Sequence, residues 1–191
     1  MALVMIAAPD VEPVSLDEAK AHLRVDHEAE DALLSSLIVT SRLHIEAALG
    51  LALITQSWSY RLDSWPEACA LVLPLRPVRS IIAVRVADAD GTFETLGADR
   101  YLLDGASAPP RLHASNGIWP RPGQRAQGIE VAFEAGFGDD AAAVPPPIRL
   151  ALLMLIAHWY EHREPVSVGD TASRIPDTVS SLLSPYRTVR L

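Results

Sequence analysis

The apolar residues of this chain repeat with a helical period, then with a period of two, then helically again. That switch confines the fold to helices on either side of a β-rich segment. In the first helical stretch Leu34, Ile38, Ser41 and Ile45 fall on one face, and Leu33 and Leu37 widen the stripe. The spacing predicts a helix over Glu28–Leu49, with Gly50 placed to end it in the left-handed conformation. Upstream, Ser15-Leu-Asp-Glu18 has the form of a capping box, and Leu16, Ala19 and Leu23 then share a face. The acidic, polar run Asp26–Asp31 reads as a corner or a helix start. Together these give N-terminal helices over residues 15–50.

The period of two begins at Gln56. Trp58, Tyr60 and Leu62 alternate with Ser57, Ser59 and Arg61. Ile82, Val84 and Val86 alternate with Ile81, Ala83 and Arg85, and Ile129, Val131 and Phe133 alternate with polar neighbours. Asp88-Ala-Asp-Gly91 supplies a turn, so Thr92–Leu96 is expected to return as a hairpin partner, and Arg100–Leu103 is a short strand candidate. Prolines at 66, 74, 77, 109, 110, 120 and 122 cut this region into short pieces. The result is a β-rich insertion over residues 56–135.

Helix returns after Pro145-Pro-Pro147, since proline suits a first helical turn. Ile148–Arg163 is apolar nearly all round, which predicts a buried helix over 145–163, packed on the Glu28–Leu49 helix or on a neighbouring subunit. Residues 164–191 read as an extended or short-helical tail, with a short helix expected over Pro176–Leu183. The fold class is therefore α+β, a small helical bundle with a β-rich insertion, in one domain of 191 residues.

Composition narrows the function. The net charge of -8 argues against tight sequence-independent DNA binding, which uses many Lys and Arg contacts to phosphate. Cys69 is the single cysteine, which leaves no disulfide framework and no cysteine-built zinc site. Ala2–Ala8 lacks a basic flank and is short for a signal core. The longest unbroken apolar run, Leu150–Ala157, is far short of the roughly 20 residues of a membrane span. No membrane association is expected.

Candidate chemistry is sparse. His158 and His162, four residues apart on a helix, are the best metal candidates, with Glu161 beside them. The order His-Trp-Tyr-Glu-His departs from the His-Glu-x-x-His of zinc hydrolases, and spacing supplies no third ligand. Asp88–Gly91 resembles a fragment of a calcium loop, but its glycine comes too early and no glutamate closes the loop. Gly136-Phe-Gly138 lacks the ending of a phosphate loop, Cys69 has no activating neighbour, and Asp139 and Asp140 are adjacent in a loop. Each has a structural reading that suffices, so no catalytic residue, metal or cofactor is assigned. Trp65 and Trp119, beside prolines, and Trp159 are expected at subunit contacts, where aromatic residues are enriched.

The order of short motifs carries more than any one of them. Pro13–Asp26, Glu30-Asp31, Glu46-Ala-Ala-Leu-Gly50, Leu53-Ile-Thr-Gln-Ser-Trp58 and Leu73-Pro-Leu-Arg-Pro-Val78 resemble the phage head–tail connector (adaptor) proteins. The likeness continues through Ala87–Gly91, Gly136–Gly138, Val144-Pro145, His158–Arg163 and Leu183–Arg187, nearly the whole chain in order. The coding bias behind 15 Arg and the single Lys20 fits an adaptor of a bacterial gene transfer agent.

The resemblance implies a non-enzymatic subunit of a homo-oligomeric ring of about a dozen copies below the portal. Such a ring extends the DNA channel, lets DNA pass without specific binding, and docks a stopper or tail-side protein. It implies a place at the head–tail junction of a virion or phage-like particle, reached from the host cytoplasm during assembly. The helices would form the bundle and part of the ring interface. The Arg-bearing tail would dock on the portal through Arg174, Leu182, Leu183, Tyr186, Arg187, Arg190 and Leu191. Two alternatives stay open: another virion component, such as a stopper or tail-completion protein, and a metal-dependent enzyme using His158 and His162.

Overall fold

A computed structural model describes residues 1–67, 70–162 and 176–187. The chain forms two compact units, each discontinuous in sequence. A sheet unit comprises Met1–Asp10 and Gly50–Phe137, and a helical unit comprises Val11–Leu49 and Gly138–Leu191.

The sheet unit holds eight strands: β1 (Ala2–Ala7), β2 (Gln56–Leu62), β3 (Ala70–Val72), β4 (Val78–Ala87), β5 (Phe93–Thr95), β6 (Tyr101–Asp104), β7 (Arg111–Ala114) and β8 (Ile129–Ala135). They make an antiparallel five-stranded sheet in the order β1-β2-β8-β4-β5 and a three-stranded sheet in the order β3-β7-β6. Register puts the predicted alternation to use. Trp58 lies opposite Phe133, Tyr60 opposite Val131 and Leu62 opposite Ile129, while Val84 meets Val131 from the other side. These side chains form one apolar cluster with Leu71, Leu73 and Leu112 of the small sheet and its flanks, and Phe133, Ile129 and Leu112 are fully buried.

Three features of this unit depart from the sequence reading or sharpen it. The segment Ala2–Ala7 is a strand, β1, paired to β2. Ile82, expected inward with Val84 and Val86, is 51% exposed, whereas Ile81 packs against the core cluster. A bulge between Ile81 and Ala83 adds one residue to β4, so the alternation changes phase there. Gly136, at φ +148°, could bear no side chain: a Cβ would stand 2.5 Å from the Thr55 backbone nitrogen. It is the tight exit from β8. The predicted hairpin is present, with Ala87 paired to Phe93.

The helical unit holds α1 (Leu16–Leu23), α2 (Asp31–Leu49), α3 (Pro146–Glu161) and α4 (Asp177–Leu183). The capping box is formed: the Glu18 backbone N–H donates to Ser15 Oγ at 3.2 Å, and the Ser15 N–H donates to the Glu18 carboxylate at 2.9 Å. Leu34, Ile38, Ser41, Ile45 and Leu49 are buried along α2, and Gly50 follows at φ +63°. The α3 helix packs on α2 and α4, burying Ile148, Ala151, Leu152, Leu155 and Ile156. It is less enclosed than its composition predicts, since Leu150 is 44% exposed.

Charge pairs hold this unit together where apolar spacing gave no hint of them. Arg42, buried on α2, donates to Glu12 at 2.7 and 3.1 Å and to Glu46 at 3.0 Å. Burial works against the guanidinium charge, but the Glu12 and Glu46 carboxylates outweigh it and raise its pKa. Arg149 on α3 donates to the Pro13 carbonyl at 3.0 Å and pairs with Glu18, and Lys20 meets Asp31 at 2.7 Å. The Ser15 backbone hydrogen bond, with Arg149 adding to it against some desolvation, holds the Glu18 carboxyl below its ordinary range.

Candidate assembly surfaces

Of the positions singled out for chemistry, His162, Asp88 and Asp140 make structural hydrogen bonds. The His158 and His162 rings lie 4.6 Å apart, but Nδ1 of His162 sits 2.8 Å from the His158 carbonyl oxygen, which requires a proton on that nitrogen. Among the described residues no group of three or more His, Cys, Asp or Glu side chains is arranged to hold a metal. The Asp88 carboxylate accepts from the backbone N–H groups of Asp90 and Thr92, both at 2.9 Å, and so closes the β4–β5 turn. Asp140 caps a short 3-10 turn by accepting from Ala142 and Ala143. Cys69 lies outside the described residues.

On the polar face of the large sheet, Glu130 of β8 gathers three partners from the flanking strands. Ser59 Oγ donates to it at 2.7 Å, Arg85 at 3.1 Å, and Arg61 stands 3.7 Å away. Burial pushes this carboxyl up, but Ser59 and the two guanidinium groups outweigh that and hold it below its ordinary value. It is a cross-strand tie in which both carboxylate oxygens are engaged. Nothing in the arrangement couples it to a nucleophile.

A groove of about 670 Å³ in the sheet unit is lined by Trp65, Trp119, Asp63, Glu67, Arg121 and Arg125, among others. The two indoles stack face to face, 4.0 Å apart and 8° from parallel, and Trp65 donates to the Pro120 carbonyl at 2.8 Å. The tryptophans are half-buried and pack against the sheet core. In the helical unit, Trp159 meets His44 edge-to-face at 5.6 Å.

The outer face of α2 has another character. Leu33, Ser36, Thr40, Leu43 and Ala47 recur at helical spacing and are exposed, and no residue from Ala32 to Ser41 is charged. Ser36 Oγ donates to the Ala32 carbonyl at 3.0 Å and Thr40 Oγ1 to the Ser36 carbonyl at 2.7 Å, so the hydroxyl hydrogens turn back onto the helix. By length and composition α2 resembles a membrane span. Its inner face, however, carries the Arg42–Glu46 ion pair and packs on α3. An uncharged helix face on an otherwise acidic chain is suited to packing against protein.

The sequence pattern of the phage gp6-like head–tail connector proteins matches residues 13–87. A solved chain described as part of the virion of a native gene transfer agent (GTA) particle is similar over 100% of this chain and 97% of its own, with 30% identity and a TM-score of 0.86. A chain from the neck of an empty GTA particle, computed with C6 symmetry, gives 31% identity and a TM-score of 0.84 over the same coverage. The chain belongs to the phage head–tail connector family. A chain from the neck of a native GTA particle computed with C12 symmetry is 29% identical, with a TM-score of 0.80 over 100% of this connector and 97% of that chain. No curated protein has a significantly similar sequence.

The segment of this connector expected at the portal divides in two. Leu183 is buried at 7% exposure on α4, beside Val179 at 1%. It serves the fold, because α4 packs on α3. Leu182 and Tyr186 are half-buried and Arg187 is exposed. Arg174, Arg190 and Leu191 lie outside the described residues. What sequence reasoning missed is the β1 strand and the Arg42 ion-pair cluster. The first has the signal of six apolar residues without a charge, and the second is marked in sequence only by Arg42 and Glu46 at i,i+4 spacing.

Proposed function

We propose that this connector is a structural subunit of a ring at the head–tail junction of a gene transfer agent or phage-like particle. The ring sits between the portal and a stopper or tail-side protein and extends the DNA channel. The observation that carries this reading is the likeness along the whole chain to subunits of GTA necks, one of them computed with C12 symmetry. The uncharged face of α2 supports it as a surface for a neighbouring protein. The net charge of -8 supports a channel that DNA passes without sticking, since few cations are available to hold phosphates. The chain works through its surfaces, with no cofactor and no turnover.

In this reading the portal is met by Arg187 with Leu182 and Tyr186, together with Arg174, Arg190 and Leu191. Trp65, Trp119 and Trp159 stiffen the surfaces that neighbours meet. The test is electron microscopy of the purified chain mixed with portal. A ring carrying the portal's symmetry is expected, and no association under assembly conditions overturns the proposal. For the portal contact, truncation from Arg174 is a poor probe because it removes the buried Val179 and Leu183. Deletion of 188–191 combined with Arg187→Glu keeps α4, and portal binding should fall. Unchanged binding removes this segment from the contact.

A further inference from the structure

The large sheet ends in β1 on one side and β5 on the other. Edge strands present unpaired N–H and C=O groups, and soluble proteins blunt them with charges, prolines or very short strands. β1 has neither charge nor proline. Its sequence is Ala2-Leu-Val-Met-Ile-Ala7, and Val4, Met5 and Ile6 are 49%, 37% and 58% exposed. The irregularity between Met5 and Ala7 leaves the pairing of Ala2 to Met5 with β2 regular. The opposite edge is mixed. β5 is only three residues long, so much of β4 extends beyond it; Ile82 on β4 and Phe93 on β5 are 51% and 45% exposed, beside the charged Arg79 and Glu94.

We propose that β1 of one copy packs along the β4–β5 edge of the next copy, joining the sheets around the ring. This rests on the ring reading above. A ring generated by rotation needs two different faces on each subunit, one for each neighbour. The sheet supplies two different ends, an uncharged one at β1 and a mixed one at β4–β5, each with exposed apolar side chains. A β1–β1 contact would be isologous and would stop at a dimer. A long apolar edge left open on the free chain is also an aggregation site, which a head-to-tail partner removes.

Rescue by charge tests the proposal in the full chain with portal present. Val4→Lys with Ile6→Lys places cations on one edge, and Ile82→Glu with Phe93→Glu places anions on the other. Each pair alone should lower ring formation on portal by about tenfold, and the chain carrying all four should recover to within about threefold. These positions are exposed, and circular dichroism and thermal melting confirm that each variant folds. If lysine unfolds the chain, Val4→Thr with Ile6→Thr keeps strand propensity and should lower ring formation about threefold. Rings unaffected by either edge overturn the edge contact and leave the connector reading intact. Loss without rescue assigns the edge to the portal or tail-side protein and also overturns it. An unsubstituted chain that forms no ring overturns both.

Discussion

The two units of this connector are stabilised by different means. The sheet unit is centred on one apolar cluster around Phe133, Val131 and Ile129, with a cross-strand ion-pair tie at Glu130 on its polar face. The helical unit has an apolar core too, but its N-terminal segments are tied down by ions: Glu12 to Arg42, Glu18 to Arg149, Lys20 to Asp31. The outward surfaces differ in the same way. The sheet unit presents an uncharged edge strand, β1, with backbone groups to pair, while the helical unit presents an uncharged side-chain face on α2. Burial without direction suits a scaffold, whereas ion pairs fix register between segments distant in sequence.

The contrast predicts where damage should spread. Phe133→Ala removes the centre of the sheet core and should cost about 3–5 kcal/mol. Hydrogen exchange should quicken in β2, β4 and β8, and a response confined to the helices would contradict the assignment. Arg42→Met leaves Glu46 and Glu12 without their cation and should cost about 3 kcal/mol. Exchange should then rise in α2, and a variant as stable as the parent would show that the cluster is dispensable.

Acid should act on both units through carboxylates. Glu18 and Glu130 have pKa values below the ordinary 4.5, so each stabilises the fold fully above that value and loses its contribution as pH falls through its lowered folded value. Thermal melting should therefore decline below about pH 4.5, and Glu130→Gln should flatten that decline. An unchanged slope in Glu130→Gln would remove the Ser59 and Arg85 contacts from the account. Ser15→Ala, which removes the α1 cap, should cost about 1 kcal/mol. The smallest effect on the isolated chain is expected from Leu33→Lys with Leu43→Lys on α2, within about 0.5 kcal/mol per site by denaturant titration. The same variant should impair ring assembly on portal, and normal assembly would free this face from the interface.

Much of the helical unit was legible in sequence because caps and periodicity are local signals. Ser15, Glu18, Gly50 and the Leu34–Ile45 stripe each state their role within a few residues. The β-rich segment was legible as a class and less so in detail. The bulge at Ile82 inverts the face of one residue, and a bulge depends on the partner strand. β1 escaped because its residues are apolar throughout, without the alternation that marks β2. The Arg42 cluster is marked in sequence only by Glu46 at i+4, since Glu12 is thirty residues distant. The candidate surfaces divide likewise. The resemblance carried the family, but only three dimensions separated buried Leu183 from exposed Arg187 and showed that Trp65 and Trp119 stack on each other.

The central claim is that this chain does its work as a ring. Native mass measurement of the purified portal, before and after addition of the chain, tests it directly. The added mass should equal the portal's copy number multiplied by 20.7 kDa, reached in a single saturating step. A portal whose mass stays unchanged, or that gains only one or two chains at saturation, would contradict it.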